Sequence, residues 1–132
     1  MEIYEKFIEV TADDLDFLDH VNNVRYIQWI QDISEEHWQK RAPKQLREQV
    51  VWVVLNHNVD YRNPARLGDR IRIKTFVVES TGATSIRAVE MHNESTNTPL
   101  VSSKTKWCLL NAKTQRPMRI SDLIREVFEA KA

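Results

Sequence analysis

Hydrophobic and polar positions divide the chain into runs of different period. Near the N-terminus, Ile3–Val10 sets Ile3, Phe7 and Ile8 among charges and predicts a strand. From Val24 to about Lys40 the period lengthens. Val24, Ile27, Ile30 and Ile33 recur at three-residue steps, flanked by Trp29 and Trp38, which predicts a helix. Asn22 or Asn23 suits its N-terminus, because a side-chain oxygen there accepts from a free backbone N–H. Pro43 lies just past its end. Four strand-like runs follow. Val50–Tyr61 is β-branched and apolar at first, as in a strand buried on both faces, and Arg70–Glu79 alternates with period two. Ala83–Glu94 and Leu100–Asn111 complete the set, with Gly68 and Gly82 between runs, where a turn needs positive φ or open sterics. In the tail, Ser121–Ala130, the residues Leu123, Ile124, Val127 and Phe128 share a face behind Ser121, a suitable cap for a short helix.

The order is one strand, a long helix, four strands and a short helix. It predicts an α+β fold in which an antiparallel five-stranded sheet packs around the long helix. At 132 residues the chain is expected to form one domain, 1–132, burying roughly 65–70% of its unfolded surface. An open sheet leaves edges, so a homodimer by sheet extension, or a tetramer of such dimers, is expected.

Charge and composition narrow the function. Lys+Arg and Asp+Glu both number 19, which argues against a general nucleic-acid binder but leaves room for a local basic patch. Cys108 is the single cysteine, so neither an intramolecular disulfide nor a cysteine-based zinc site is possible; it reads as a packed strand residue. His37, His57 and His92 lack metal-ligand spacing, so no metal is expected. There is no GxGxxG or Walker loop to hold a nucleotide cofactor. No apolar run approaches the roughly 20 residues that span a bilayer, and the charged N-terminus is unlike a signal peptide; the expectation is a cytoplasmic protein with no membrane partner. Trp29, Trp38, Trp52 and Trp107 read as core or dimer contacts rather than a ligand cage.

The stretch that carries chemistry is "DDLDFLDHVNNVRYIQWIQD", Asp13–Asp32, where polar groups crowd the start of an apolar helix. A turn with a cap is one reading, an active site the other. The string from Asp14 to Tyr26, with Asp16, His20, Val21, Asn22 and Asn23, resembles the hotdog-fold acyl thioesterases. It is similar above all to the 4-hydroxybenzoyl-CoA thioesterase-like group of acyl-CoA hydrolases. "VDYRNPARLGDRI", Val59–Ile71, resembles that family's second segment of strand, Pro-Ala turn and Gly-Asp restart. The string is also similar to plant acyl-ACP thioesterases at Asp16, His20, Asn22, Asn23, Tyr26 and Trp29. Leu18, Pro64 and Ala65 stand where those enzymes carry other functional residues, so their catalytic set is not carried over. Those enzymes also hold two hotdog units per chain.

The resemblance implies the hotdog fold and a thioester hydrolase with no cofactor, coenzyme A being part of the substrate. It implies Asp16 as the carboxylate that attacks the acyl carbon or activates water, and the backbone N–H of Asn23 as the oxyanion contact. His20 is placed in the catalytic set, with loop fixing as its other reading. Asn22, Tyr26, Arg62 and Arg66 are expected at the substrate, with Arg70 and Arg72 as further phosphate contacts. Asp14 is expected to orient the segment. Asp19 occupies a position often held by glycine; Asp tolerates positive φ better than most residues. Partial burial of Asp16 beside Phe17 and Leu18 is expected to make it a better base. Two alternatives stand beside acyl-CoA hydrolysis: acyl-ACP hydrolysis, and non-catalytic acyl-CoA binding on the same fold.

Overall fold

The computed structural model describes residues 1–129. Strand β1 (Tyr4–Glu9) leads through a short 3-10 turn at Ala12–Asp14 into helix α1 (Asn23–Arg41). Helix α2 (Lys44–Gln49) follows, then strands β2 (Val50–Tyr61), β3 (Arg70–Thr81), β4 (Thr84–Asn93) and β5 (Pro99–Asn111), and helix α3 (Asp122–Glu126). The strands form one antiparallel sheet in the order β1-β3-β4-β5-β2. Helix α1 covers one face. This is the expected α+β hotdog architecture, a sheet wrapped around one long helix.

The long helix forms because its buried positions recur at three- and four-residue steps. Tyr26, Trp29, Ile30, Ile33, Ser34, His37 and Trp38 face inward. Of the expected stripe, Ile30 and Ile33 are buried, Ile27 is only partly buried, and Val24 is 74% exposed. Tyr26, Trp29, Ile30 and Ile33 pack on Ile71, Ile73, Val89, Met91 and Val101 of the sheet. Each such side chain contributes about 1.5–3 kcal/mol by burial. A second cluster joins Trp38, Ala42, Leu46, Val50, Leu109, Ile120, Ile124 and Phe128 at the other end of α1.

Three features depart from expectation. Helix α2 was not predicted; Pro43 both ends α1 and opens α2, its ring fixing φ at −60°. Strand β2 is not buried on both faces. It is an edge strand whose Val51, Val53 and Leu55 are 37–56% exposed, because no element covers the outer face there. In α3, Leu123 points to solvent while Ile124 and Phe128 are buried, and Ser121 caps the helix by accepting from the Ile124 N–H. Ala130, the predicted end of that helix, lies outside the described residues.

Helix α1 runs antiparallel to β2 along its whole length. Tyr61 reaches the Asn23 carbonyl at 3.5 Å, Gln31 meets His57 at 3.3 Å, and the Trp38 and Trp52 rings meet edge to face at 5.8 Å. The helix start therefore lies at one end of this seam and its last turns at the other.

Candidate active site

The polar segment folds into a tight loop that closes on itself before α1 begins. Leu15 pairs with Val21 in an isolated antiparallel bridge, and the Asp16 N–H donates to the His20 carbonyl at 2.7 Å. At the apex the Asp19 N–H donates to the Asp16 carbonyl at 3.1 Å, and Asp19 sits at φ 59°. That is the left-handed region, where Asp is among the few tolerated side chains. The glycine-like role expected of this position is what the backbone displays.

Asp16 is held from below. Its Oδ1 accepts the backbone N–H groups of Leu18 at 2.9 Å and His20 at 3.2 Å. Its Oδ2 has no hydrogen-bond partner among the described residues and is free to meet a substrate or water. The hydrophobic shelter expected from its neighbours is absent: Phe17 is 92% exposed and Leu18 projects outward, because the turn directs both side chains to solvent. His20 fixes the loop through its backbone N–H and carbonyl rather than through its ring.

Asp14 is the anchor of the segment. Buried, it accepts the Thr11 N–H at 2.8 Å and the Thr11 hydroxyl at 3.2 Å on Oδ2, and pairs with Arg25 at 3.2 Å through Oδ1. Its carbonyl accepts the Asn22 N–H at 2.8 Å, and Arg25 also donates to the Asp13 carbonyl at 3.1 Å. Arg25 thus ties the loop to the first turn of α1. It was missed in the sequence, where nothing distinguishes it from a solvated helix arginine.

The helix start completes the site. Asn22 is the cap, its Oδ1 accepting from the Val24 N–H at 2.9 Å. The Asn23 N–H, one of the first-turn donors with no intrahelical acceptor, is unpartnered among the described residues. Free N–H groups and the helix dipole together favour negative charge there.

The second segment docks beneath this arrangement. Val21 N–H donates to the Ala65 carbonyl at 2.9 Å, and the Ala65 N–H donates to the Tyr26 hydroxyl at 3.3 Å. Tyr26 is 3% exposed, and burial raises the pKa of its hydroxyl. It therefore supports the Pro64–Ala65 turn from inside rather than presenting its ring at the surface. Arg62 and Arg66 lie exposed on the same loop, with their backbone N–H groups bonded to Leu100 O and Asp69 Oδ2. Arg70 covers the Phe7 ring, and Arg72 pairs with Glu94 at 2.9 Å.

None of the three remaining histidines belongs to this loop. His57 faces Gln31 and Thr105, and burial lowers its pKa. His37 lies between Glu2 and Arg87 inside the molecule, and His92 is on β4. Among the described residues no three His, Cys, Asp or Glu side chains group as metal ligands. Cys108 is buried in β5. Among the described residues no helix is long and apolar enough to cross a membrane.

Residues 10–128 match the family model of the thioesterase-like superfamily. The chain is 25% identical over 124 residues to the long-chain acyl-CoA thioesterase FadM of Escherichia coli K12, covering 92% of this chain and 94% of that protein. The fold is similar to the probable thioesterase YbaW from Escherichia coli, with a TM-score of 0.84 and 24% identity over 93% of this chain and 94% of that one. It is also similar to the 12:0-ACP thioesterase of Umbellularia californica (TM-score 0.82, 14% identity), where 98% of this chain overlays 51% of the plant protein. The loop, the helix start and these likenesses lead to one conclusion: the chain belongs to the thioesterase-like superfamily, and it is an enzyme of the thioester-hydrolase class.

Proposed function

We propose that the chain hydrolyses acyl-CoA thioesters to a free carboxylic acid and coenzyme A, with Asp16 as the reacting carboxylate. The observation that carries this reading is the division of labour on Asp16. One oxygen is tied down by two backbone N–H groups and the other is free, and the helix that follows this loop opens on an unpartnered N–H among the described residues. A thioester carbonyl seated there points its oxygen at the Asn23 N–H, which stabilises the negative charge that develops as the carbon is attacked.

Two routes use the same geometry. In one, Asp16 Oδ2 takes a proton from water as its oxygen bonds the acyl carbon; the C–S bond then breaks and the thiolate leaves. In the other, Oδ2 bonds the carbon itself, coenzyme A departs, and water hydrolyses the resulting anhydride. A thiol pKa roughly near 8–9 makes the leaving group easy to expel, so one carboxylate and one polarising N–H suffice. His20 lines the loop beside Asp16, and Asn22 holds the helix start in place. Arg62 and Arg66, exposed on the adjoining loop, suit the phosphates of coenzyme A.

The exposed apolar face and unpaired backbone of β2 suit pairing with a second copy, so the working unit is read as a homodimer or a dimer of dimers in the cytoplasm. Acyl-ACP hydrolysis is the second reading, supported by the overlay on half of a plant 12:0-ACP thioesterase. The test is turnover of an acyl-CoA panel beside matched acyl-ACP esters. Faster release of coenzyme A supports the first reading and faster turnover of the carrier ester the second. Saturable acyl-CoA binding with no hydrolysis would contradict both.

A further inference from the structure

Arg87 of β4 is a charge without a counter-ion among the described residues. It is 5% exposed, and its Nη1 donates to His37 Nδ1 at 2.9 Å and to the Thr75 hydroxyl at 3.1 Å. Nε and Nη2 make no hydrogen bond, and no carboxylate pairs with the guanidinium, among the described residues. Glu2 is reached only through His37, whose Nε2 lies 2.6 Å from the Glu2 carboxylate. Because His37 accepts from Arg87, its proton lies on Nε2 and the ring is neutral; it relays the contact without supplying charge. The Phe128 ring lies 4.8 Å from the Arg87 guanidinium carbon, which adds an aromatic face but no anion. An ion held this far from water is costly unless a charge of opposite sign meets it.

Beside Arg87 is a cavity of about 120 Å³ between the last turns of α1 and the sheet. Trp38, Trp52, Trp107 and Phe128 supply flat apolar walls, and Ser34, Ser85 and Arg87 line it as well. The indole nitrogens of Trp52 and Trp107 are buried without an acceptor among the described residues. The Ser34 hydroxyl is already donated to the Ile30 carbonyl at 2.7 Å. Glu35 and Gln39, both exposed, also line the cavity, and Glu35 is its one carboxylate. The cavity therefore sets one cation among rings, with the exposed Glu35 as the one carboxylate on its lining.

We propose that this cavity binds the carboxylate of an organic acid, which supplies the missing counter-ion of Arg87 while its apolar body lies against the tryptophans. The volume approaches that of a 150 Å³ protein cavity that takes up benzene, so a ring or a short chain is the right size. Two sources share this chemistry. One is a free small organic acid. The other, which rests on the acyl-CoA reading above, is a carboxylate at the far end of an acyl chain. Eleven residues of α1, about 17 Å at 1.5 Å per residue, separate Asn23 from Ser34 at the cavity.

The experiment uses the full chain and two arms. In the first, tryptophan emission and the thermal midpoint are followed against benzoate, with benzyl alcohol as the uncharged comparator. Saturable benzoate binding at least tenfold tighter than benzyl alcohol is expected. Arg87→Met should abolish it. Because that variant risks misfolding, Trp107→Phe, which cuts back one aromatic wall of the cavity, should weaken it several-fold. In the second arm, kcat/KM is compared for octanoyl- to hexadecanoyl-CoA and their ω-carboxyl counterparts. A preference for the ω-carboxyl ester that Trp107→Phe erases assigns the site to the chain end; benzoate binding with no such preference assigns it to free acids. Absence of both effects, or benzoate binding indifferent to both variants, would overturn the proposal. Failure of every thioester to turn over would count against the thioesterase reading, and the benzoate arm would still decide this one.

Discussion

Two aspartates three residues apart do opposite things, and only their backbone explains why. Asp16 is held by N–H donors at one oxygen, whereas Asp19 is where it is because of its φ of 59°. Asp19→Gly should therefore leave the loop intact, with kcat within about twofold of the parent and an unchanged thermal midpoint. Asp19→Val should cost about 1–2 kcal/mol and lower kcat, since a β-branched residue is strained in that region; equal stability of the two variants in urea would refute the geometry. His37 gives a second residue-scale prediction. Burial, reinforced by the neighbouring Arg87, pushes its pKa down to about 4. The unfolded chain takes up the proton near pH 6.5 while the folded one does not, so His37 erodes stability as pH falls from about 6.5 to about 4, by on the order of 3 kcal/mol in all. Urea titrations across that range should show His37→Gln to be less pH-sensitive than the parent. Identical slopes would contradict the buried neutral ring. The loop around Asp16 and the positive φ of Asp19 were legible in the sequence because they sit in one continuous motif. The link between Arg87 and His37 was not, because 50 residues separate the partners and neither lies in a motif.

At the scale of elements, the start of α1 is capped by Asn22 and, in the proposed function, also offers the oxyanion contact. Asn22 satisfies the Val24 N–H and leaves that of Asn23 open. Asn22→Ala should cost about 1 kcal/mol of stability and lower kcat more than it raises KM, because the exposed donor loses its fixed direction. A change in KM alone would show that the helix start only binds substrate. Helix α1 and the five strands were readable from periodicity to within a residue or two, because apolar spacing records which face is covered, whereas α3 ends at Glu126, well short of the stretch read as helical. Periodicity could not show that β2 is an edge. Its β-branched run resembles a strand buried on both faces, and only pairing reveals that Val51, Val53 and Leu55 look outward. The same limit applies to α2, six residues with one buried side chain, too short to display a period.

For the whole molecule, the sheet order puts β2 at one edge with its apolar residues uncovered, and the seam between β2 and α1 leads from the loop of Asp16 to the cavity beside Arg87. If a second copy covers that edge, Val53→Lys should place a charge in the contact and shift the sedimenting species toward monomer. An unchanged mass would exclude β2 as the interface. Activity lost together with the dimer would show that the site needs the neighbouring copy.

The central claim is that the free oxygen of Asp16 performs or initiates attack on a thioester. Its most direct test is kcat for coenzyme A release from the best acyl-CoA substrate in the parent and in Asp16→Asn, which keeps the shape and the Oδ1 contacts. The account predicts a fall of about 10²–10⁴-fold with an unchanged thermal midpoint. Equal rates in the two proteins would contradict it.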